Sequence, residues 1–260
     1  MVDVAILVSV GRHPASGRAR RAPSDARALE LAFGLPPGRR EALHAGDPAN
    51  PALRDYLGMG LERLTVLAMA EGRDPADALA ARLRGLSLGI ILTGNRAEGG
   101  EDSGALPYVV AQALGLAIVP DVVAIALDTD GRTAEVVQAL ARGQRRALRV
   151  ELPFVATVHP AAPAARPSAF GPARRGRIEV VPVDAPPDAF LTACAARPWR
   201  ARPKRLSVGA AGGGTGGALD RLRAATEVKA GQGRVLVGPS PDEAARAIWD
   251  YLQEQGMQPR

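Results

Sequence analysis

The sequence predicts an α/β fold: a mostly parallel, twisted sheet with helices on both faces, extended by a β-hairpin and a C-terminal arm. Continuous apolar runs such as Val4–Val10 lack the alternation of half-exposed strands, so they read as strands buried on both faces. Helical patterns separate successive runs, the signature of β-α units and a parallel sheet. Glycines and prolines mark the junctions, as at Gly11, Pro36, Gly46 and Gly94.

Val4–Val10 is the first strand, and residues 11–23 form a basic loop after it. Ser24 or Asp25 offers an N-cap for a helix with Leu29, Ala32 and Phe33 on one face, stopping near Pro36. Glu41–Ala45 is a second strand, ended by Gly46. Asn50 and Pro51 open a helix to about Gly58. Leu64–Met69 is the third run. Asp74 and Pro75 supply the cap and first turn of a helix to about Arg84. Leu86–Thr93 is the fourth strand, Ser103–Leu114 the next helix and Ala117–Leu127 the next strand.

After Asp130 and Gly131 a β-hairpin is expected, turning near Arg142 and Gly143. Its second arm alternates Leu148, Val150 and Leu152 with Arg149 and Glu151. Pro153 then marks an edge or irregularity. Residues 159–176 read as an extended proline-rich loop, followed by a short strand Ile178–Val183. Residues 186–203 carry no assignable pattern, and 209–217 is a glycine run. A last β-α unit pairs RVLVG (234–238) with a helix over 241–255. The expected division is a ligand-binding α/β domain over 1–183 and a C-terminal, partner-docking extension over 184–260.

Composition narrows the function. Aromatics are 3% of the chain, too few for the stacking platforms of nucleic-acid readers. The net charge of +6 then points to an acidic protein partner. One cysteine, Cys194, builds neither a disulfide framework nor a cysteine metal site, and the three histidines lack ligand spacing. No metal site is expected. The segment MVDVAILVSVGRH has no signal-peptide pattern and no apolar run reaches a membrane span, so a cytoplasmic protein is expected.

Ligands of parallel sheets sit beyond the carboxyl ends of the strands. Three loops occupy that edge: Gly11–Pro23, Gly46–Ala49 and Gly94–Asp102. The last joins a strand to a helix, so Gly94 permits close approach while Ser103 and the first helix amides suit a phosphate. Glu98, Glu101 and Asp102 oppose that unless they turn away or meet a ribose. Neither a P-loop nor a G-x-G-x-x-G pattern is present. Ser9, Ser103, His13 and His44 lack the G-x-S-x-G setting of a nucleophile.

Several segments, in order, resemble the beta subunit of electron-transferring flavoprotein. They are SVGR (9–12), APSDARALELA (22–32), GNRA (94–97), DSG (102–104), LGL (114–116), LPFVATV (152–158) and ARRGRIEV (173–180). The resemblance spans about residues 3–180 and implies a Rossmann-like, adenine-nucleotide-binding fold. It implies a non-enzymatic electron carrier, paired as a heterodimer with an alpha subunit. FAD is shared with that subunit, AMP is held structurally here, and a flavin-linked dehydrogenase delivers electrons. The implied nucleotide contacts are Ser9, Ala22, Pro23, Ser24, Asp25, Ala45, Gly94, Asn95, Arg96, Ala97, Gly100, Asp102, Ser103 and Gly104. The chain departs from the family at Gly11 (Lys), Ala22 (Asn), Ser24 (an aromatic) and Ala105 (Gln). In the proline-rich loop, where the family anchors its dehydrogenase through a leucine, Phe170 is the large apolar candidate. The residues alone leave two other readings open: a stand-alone adenine-nucleotide-binding enzyme, or an adenylate-sensing regulator of the same fold.

Overall fold

A computed structural model describes residues 2–36, 38–98, 103–196 and 236–254. The chain divides into two compact units, Met1–Trp199 and Arg200–Arg260. Among the described residues, nine strands of the first unit form one sheet.

In chain order the elements are β1 (Val4–Leu7), β2 (Val10–Arg12), β3 (Ala19–Arg21), α1 (Pro23–Gly34), β4 (Arg40–Gly46), α2 (Leu53–Leu57), β5 (Arg63–Ala68), α3 (Ala76–Arg84) and β6 (Ile90–Gly94). There follow α4 (Leu106–Leu114), β7 (Ala117–Leu127), β8 (Thr133–Ala139), β9 (Arg145–Glu151), β10 (Phe154–Val158), α5 (Phe170–Arg175), β11 (Arg177–Pro182) and α6 (Ala189–Ala195). The sheet order is β11-β5-β4-β1-β6-β10-β7-β8-β9. The strands from β11 to β7 run parallel; β7, β8 and β9 are antiparallel neighbours.

The apolar runs are continuous because both sheet faces are covered. Val4, Ile6, Ala42, Leu64 and Ile90 point to one core with Ala28, Leu29 and Ala32 of α1 and Tyr56 of α2. Ala5, Leu7, Leu43, Leu67 and Ile91 point to the other, against Leu79 and Leu83 of α3 and Val110 of α4. This alternation is the two-residue strand period. Strand β7 has the expected boundaries, and β8 and β9 form the expected hairpin, with the turn at Arg142 and Gly143.

Several boundaries move. The first run breaks after Leu7: β2 leaves the sheet and pairs with β3 as a separate antiparallel hairpin, where a loop was expected. The break is fixed at Ser9, whose carbonyl accepts from the Tyr56 hydroxyl at 2.7 Å. Helix α1 has Ala22 at its N-cap and no side-chain cap, so neither Ser24 nor Asp25 caps it. Residues 86–89 form a turn, and β6 begins at Ile90. Helix α4 begins at Leu106 rather than Ser103, because Gly104 has φ +70°. The expected loop 159–176 contains α5. The segment left unassigned contains α6, capped by Asp188, whose carboxylate accepts the Leu191 amide at 2.9 Å. The glycine run 209–217 lies outside the described residues.

In the second unit, α7 (Pro241–Glu254) follows the expected helix. Ser240 and Glu243 form its capping box: the Ser240 amide and hydroxyl each donate to Glu243 at 2.9 Å. Residues 236–238 carry no strand; the rest of the expected RVLVG strand lies outside the described residues.

Candidate functional site

The chain runs from β1 outward to β4 and β5, then crosses back to β6 on the other side of β1. The carboxyl ends of β1 and β6 therefore flank the topological switch point, where a parallel sheet opens a crevice. The three loops expected at this edge follow β1, β4 and β6, which are sheet neighbours.

One carboxylate organises the crevice. Asp25, in the first turn of α1, is 5% exposed. Its Oδ2 accepts from the Ser9 amide at 2.7 Å and the Ser9 hydroxyl at 2.5 Å. Its Oδ1 accepts from the Gly94 amide at 2.8 Å. It thus joins the ends of β1 and β6. Burial pushes its carboxyl from 3.8 up to about 6, against the lowering effect of the bonds from Ser9 and Gly94. At neutral pH it is ionised. Gly94 has no room for a side chain: a Cβ there would stand 2.3 Å from Asp25 Oδ1.

Tyr56 braces the same corner from α2. It is fully buried, and its hydroxyl accepts from the Ala22 amide at 2.9 Å. Burial, then the Asp25 charge, holds its phenol well above the ordinary tyrosine range. It stays neutral and keeps donating to Ser9.

Past Gly94 the loop is held from two sides. Arg20 of β3 grips Glu98 with two guanidinium nitrogens, at 3.0 and 2.5 Å. The Glu98 charge is thereby matched, which removes its share of the repulsion that the sequence raised against a phosphate. Asn95 donates to Asp121 at 3.3 Å. Asp121 sits at an irregularity of β7 with φ +55°, and its amide donates to Thr157 of β10 at 3.0 Å. Beyond the loop, α4 starts at Leu106 without a side-chain cap, and Ser103 accepts the Ala105 amide at 3.2 Å. The start of α4 has few free amides: Pro107 in its first turn has no N–H, the Ala105 amide goes to Ser103, and the Tyr108 amide returns to the Ala105 carbonyl at 3.0 Å.

The start of α1 offers a phosphate little. The Ser9 and Gly94 amides are already taken by Asp25, and Pro23 at the start of α1 has no N–H.

Of the sequence-predicted contacts, Ser9, Asp25 and Gly94 are joined directly. Ala22 and Asp25 are buried, so Asp25 acts on the backbone rather than presenting a face to a ligand. Pro23 is exposed and Ser24 half-buried beside them. Ala45 ends β4, one strand away. Asn95, Arg96 and Ala97 follow β6, and Ser103 and Gly104 precede α4. Gly100 and Asp102 lie outside the described residues, as does Glu101. No nucleophile pair forms: the Ser9 hydroxyl donates to Asp25, and His44 bonds the Val8 carbonyl at 2.9 Å.

Tyr56, Asp121 and His44 were not among the predicted contacts. Asp121 carried a signal, a proline-aspartate pair inside an apolar strand, which marks a bulge. Tyr56 and His44 carried none. Among the described residues no helix is long and apolar enough to cross a membrane, and no group of three or more His, Cys, Asp or Glu is placed to hold a metal.

Comparison with known proteins adds two findings. The family described as "Electron transfer flavoprotein domain" matches residues 15–186. The protein of Chromohalobacter salexigens named electron transfer flavoprotein subunit beta is 43% identical over 258 residues, covering 98% of this chain and 95% of the relative.

Proposed function

The chain belongs to the electron transfer flavoprotein family as a beta subunit, an electron-transfer protein rather than an enzyme, and from that premise we propose that it works in a heterodimer. The alpha subunit shares FAD with it, and AMP is bound structurally in this chain. Electrons come from a flavin-linked dehydrogenase. FAD, when bound, supplies the redox chemistry.

This chain's residues do the holding. Asp25 locks the ends of β1 and β6 together. Arg20 takes up the Glu98 charge. Asn95, Arg96 and Ala97, past the end of β6, take the AMP phosphate. Ser9, Ser24, Ala45 and the 94–104 loop line the nucleotide, as the family pattern implies. Within 184–260, α7 is the docking helix for the partner: Ile248, Trp249 and Tyr251 are 61%, 47% and 45% exposed. No membrane insertion is involved, and the setting is the cytoplasm.

One observation carries the nucleotide part of this reading: residues 95–98 leave the end of β6 at the switch point between β1 and β6, and the Glu98 charge among them is matched by Arg20. Co-expression with an alpha subunit tests it. A yellow heterodimer that releases FAD and AMP on denaturation is expected. A colourless chain that stays monomeric beside its partner overturns it.

A further inference from the structure

His44 has no role in the reading so far, yet its placement is specific. It lies near the carboxyl end of β4, and 8% of it is exposed. Nδ1 is 2.9 Å from the Val8 carbonyl. A carbonyl only accepts, so Nδ1 carries the proton and, in the neutral ring, Nε2 presents a lone pair. Burial keeps the ring neutral by holding its pKa below the ordinary histidine value, against the raising effects of the Val8 bond and the Asp47 charge. The Asp47 carboxylate is itself turned into its own turn, where it accepts the Ala49 amide at 2.9 Å.

Nε2 has no partner among the described residues. Nε2 is not among the fully enclosed, unpartnered side-chain nitrogens of the described chain, which are Arg21 Nη1 and Arg82 Nε. Gly46 keeps it open. A Cβ on Gly46 would stand 2.9 Å from Nε2. The result is a single fixed acceptor at the crest of the sheet, with its tautomer set from behind.

Its position suits one part of a nucleotide. With the phosphate beside Asn95–Ala97, beyond β6, an adenosine that crosses β1 reaches β4 two strand spacings away, about 10 Å. We propose that His44 Nε2 accepts a hydrogen bond from the 6-amino group of bound adenine, making His44 a base-specificity residue of the site. This rests on the adenylate reading above. Inosine monophosphate turns a carbonyl oxygen toward the same lone pair, leaving two acceptors face to face. A site built around one hydrogen bond rejects such an analogue strongly.

The test uses the heterodimer stripped of nucleotide, titrated with AMP, inosine monophosphate and 2′-deoxy-AMP. The wild type is expected to favour AMP over inosine monophosphate by about tenfold or more. His44→Phe, which keeps the ring but not the acceptor, is expected to bring that ratio close to one; His44→Gln, which presents either an oxygen or an amide, is expected to leave it small. In the wild type, the ¹⁵N resonance of His44 Nε2 is expected to move when AMP binds, a readout that needs no variant. An unchanged ratio in His44→Phe, or an unmoved Nε2 resonance, overturns the inference while AMP binding survives. Loss confined to 2′-deoxy-AMP moves the contact to the ribose and overturns it equally. A wild-type complex that binds no AMP overturns the adenylate reading itself, and this inference with it.

Discussion

The Asp25 carboxylate and the Gly94 amide are 69 residues apart in sequence and 2.8 Å apart in the fold. Through this bond the start of α1 reaches across the switch point to the end of β6. A buried amide without a partner costs about 1–3 kcal/mol. Asp25→Ala orphans the amides of both Gly94 and Ser9. It is expected to lower unfolding stability by about 3 kcal/mol at pH 5, measured by urea denaturation.

The same carboxyl makes stability depend on pH. It titrates at about 6 in the fold, against 3.8 as its ordinary value. The native state therefore holds the proton more tightly than the unfolded chain. The stabilisation is complete below pH 3.8 and is lost as pH rises through 3.8 to about 6, by about 3 kcal/mol in all. Asp25→Asn does not titrate there. The stability difference, wild type minus Asp25→Asn, is expected to fall between pH 4 and pH 7. A flat difference means that Asp25 is not the titrating group.

Gly94→Ala places a methyl 2.3 Å from Asp25 Oδ1 and 2.8 Å from Ser24 Cβ. The second contact lies on a helix packed against the sheet and cannot swing aside. A loss of about 2 kcal/mol is expected, with AMP affinity falling alongside because the loop shifts.

The Arg20–Glu98 pair separates loop electrostatics from fold stability. Both side chains are about one-third exposed, so Arg20→Gln is expected to change stability by less than about 1 kcal/mol. It leaves Glu98 unmatched beside the phosphate site, and AMP affinity is expected to drop about fivefold at low salt. Adding Glu98→Gln is expected to restore it. Calorimetry on the single and double variants reads both outcomes.

Trp249 tests the docking helix. Trp249→Asp sits on an exposed face, so the chain's own melting is expected to hold. Affinity for the alpha subunit is expected to weaken by about tenfold or more. Equal affinity would remove α7 from the interface.

The sheet was legible because its apolar runs have no alternation and glycines such as Gly58, Gly85 and Gly115 stop the helices between them. The hairpin arms of β8 and β9 were legible from the period of Leu148 and Val150. What failed was local. Val8 and Val10 look like a continuation of β1, and the bonds that join Ser9 to Asp25 and to Tyr56, 47 residues on, show why the chain turns out there. Asp25 looked like a cap of α1; its carboxylate takes the amides of Ser9 and Gly94 instead. Ser103 looked like the start of α4, but the left-handed Gly104 forbids it. Long-range partners decide each case, and periodicity does not encode them. The order of short motifs from SVGR to ARRGRIEV carried the family, which no one of them does alone.

The central claim is that this subunit holds one adenylate of its own beside the FAD it shares. Counting the nucleotides released from purified, denatured heterodimer tests it most directly. The prediction is one AMP and one FAD per complex. FAD with no AMP, or two FAD, would contradict it.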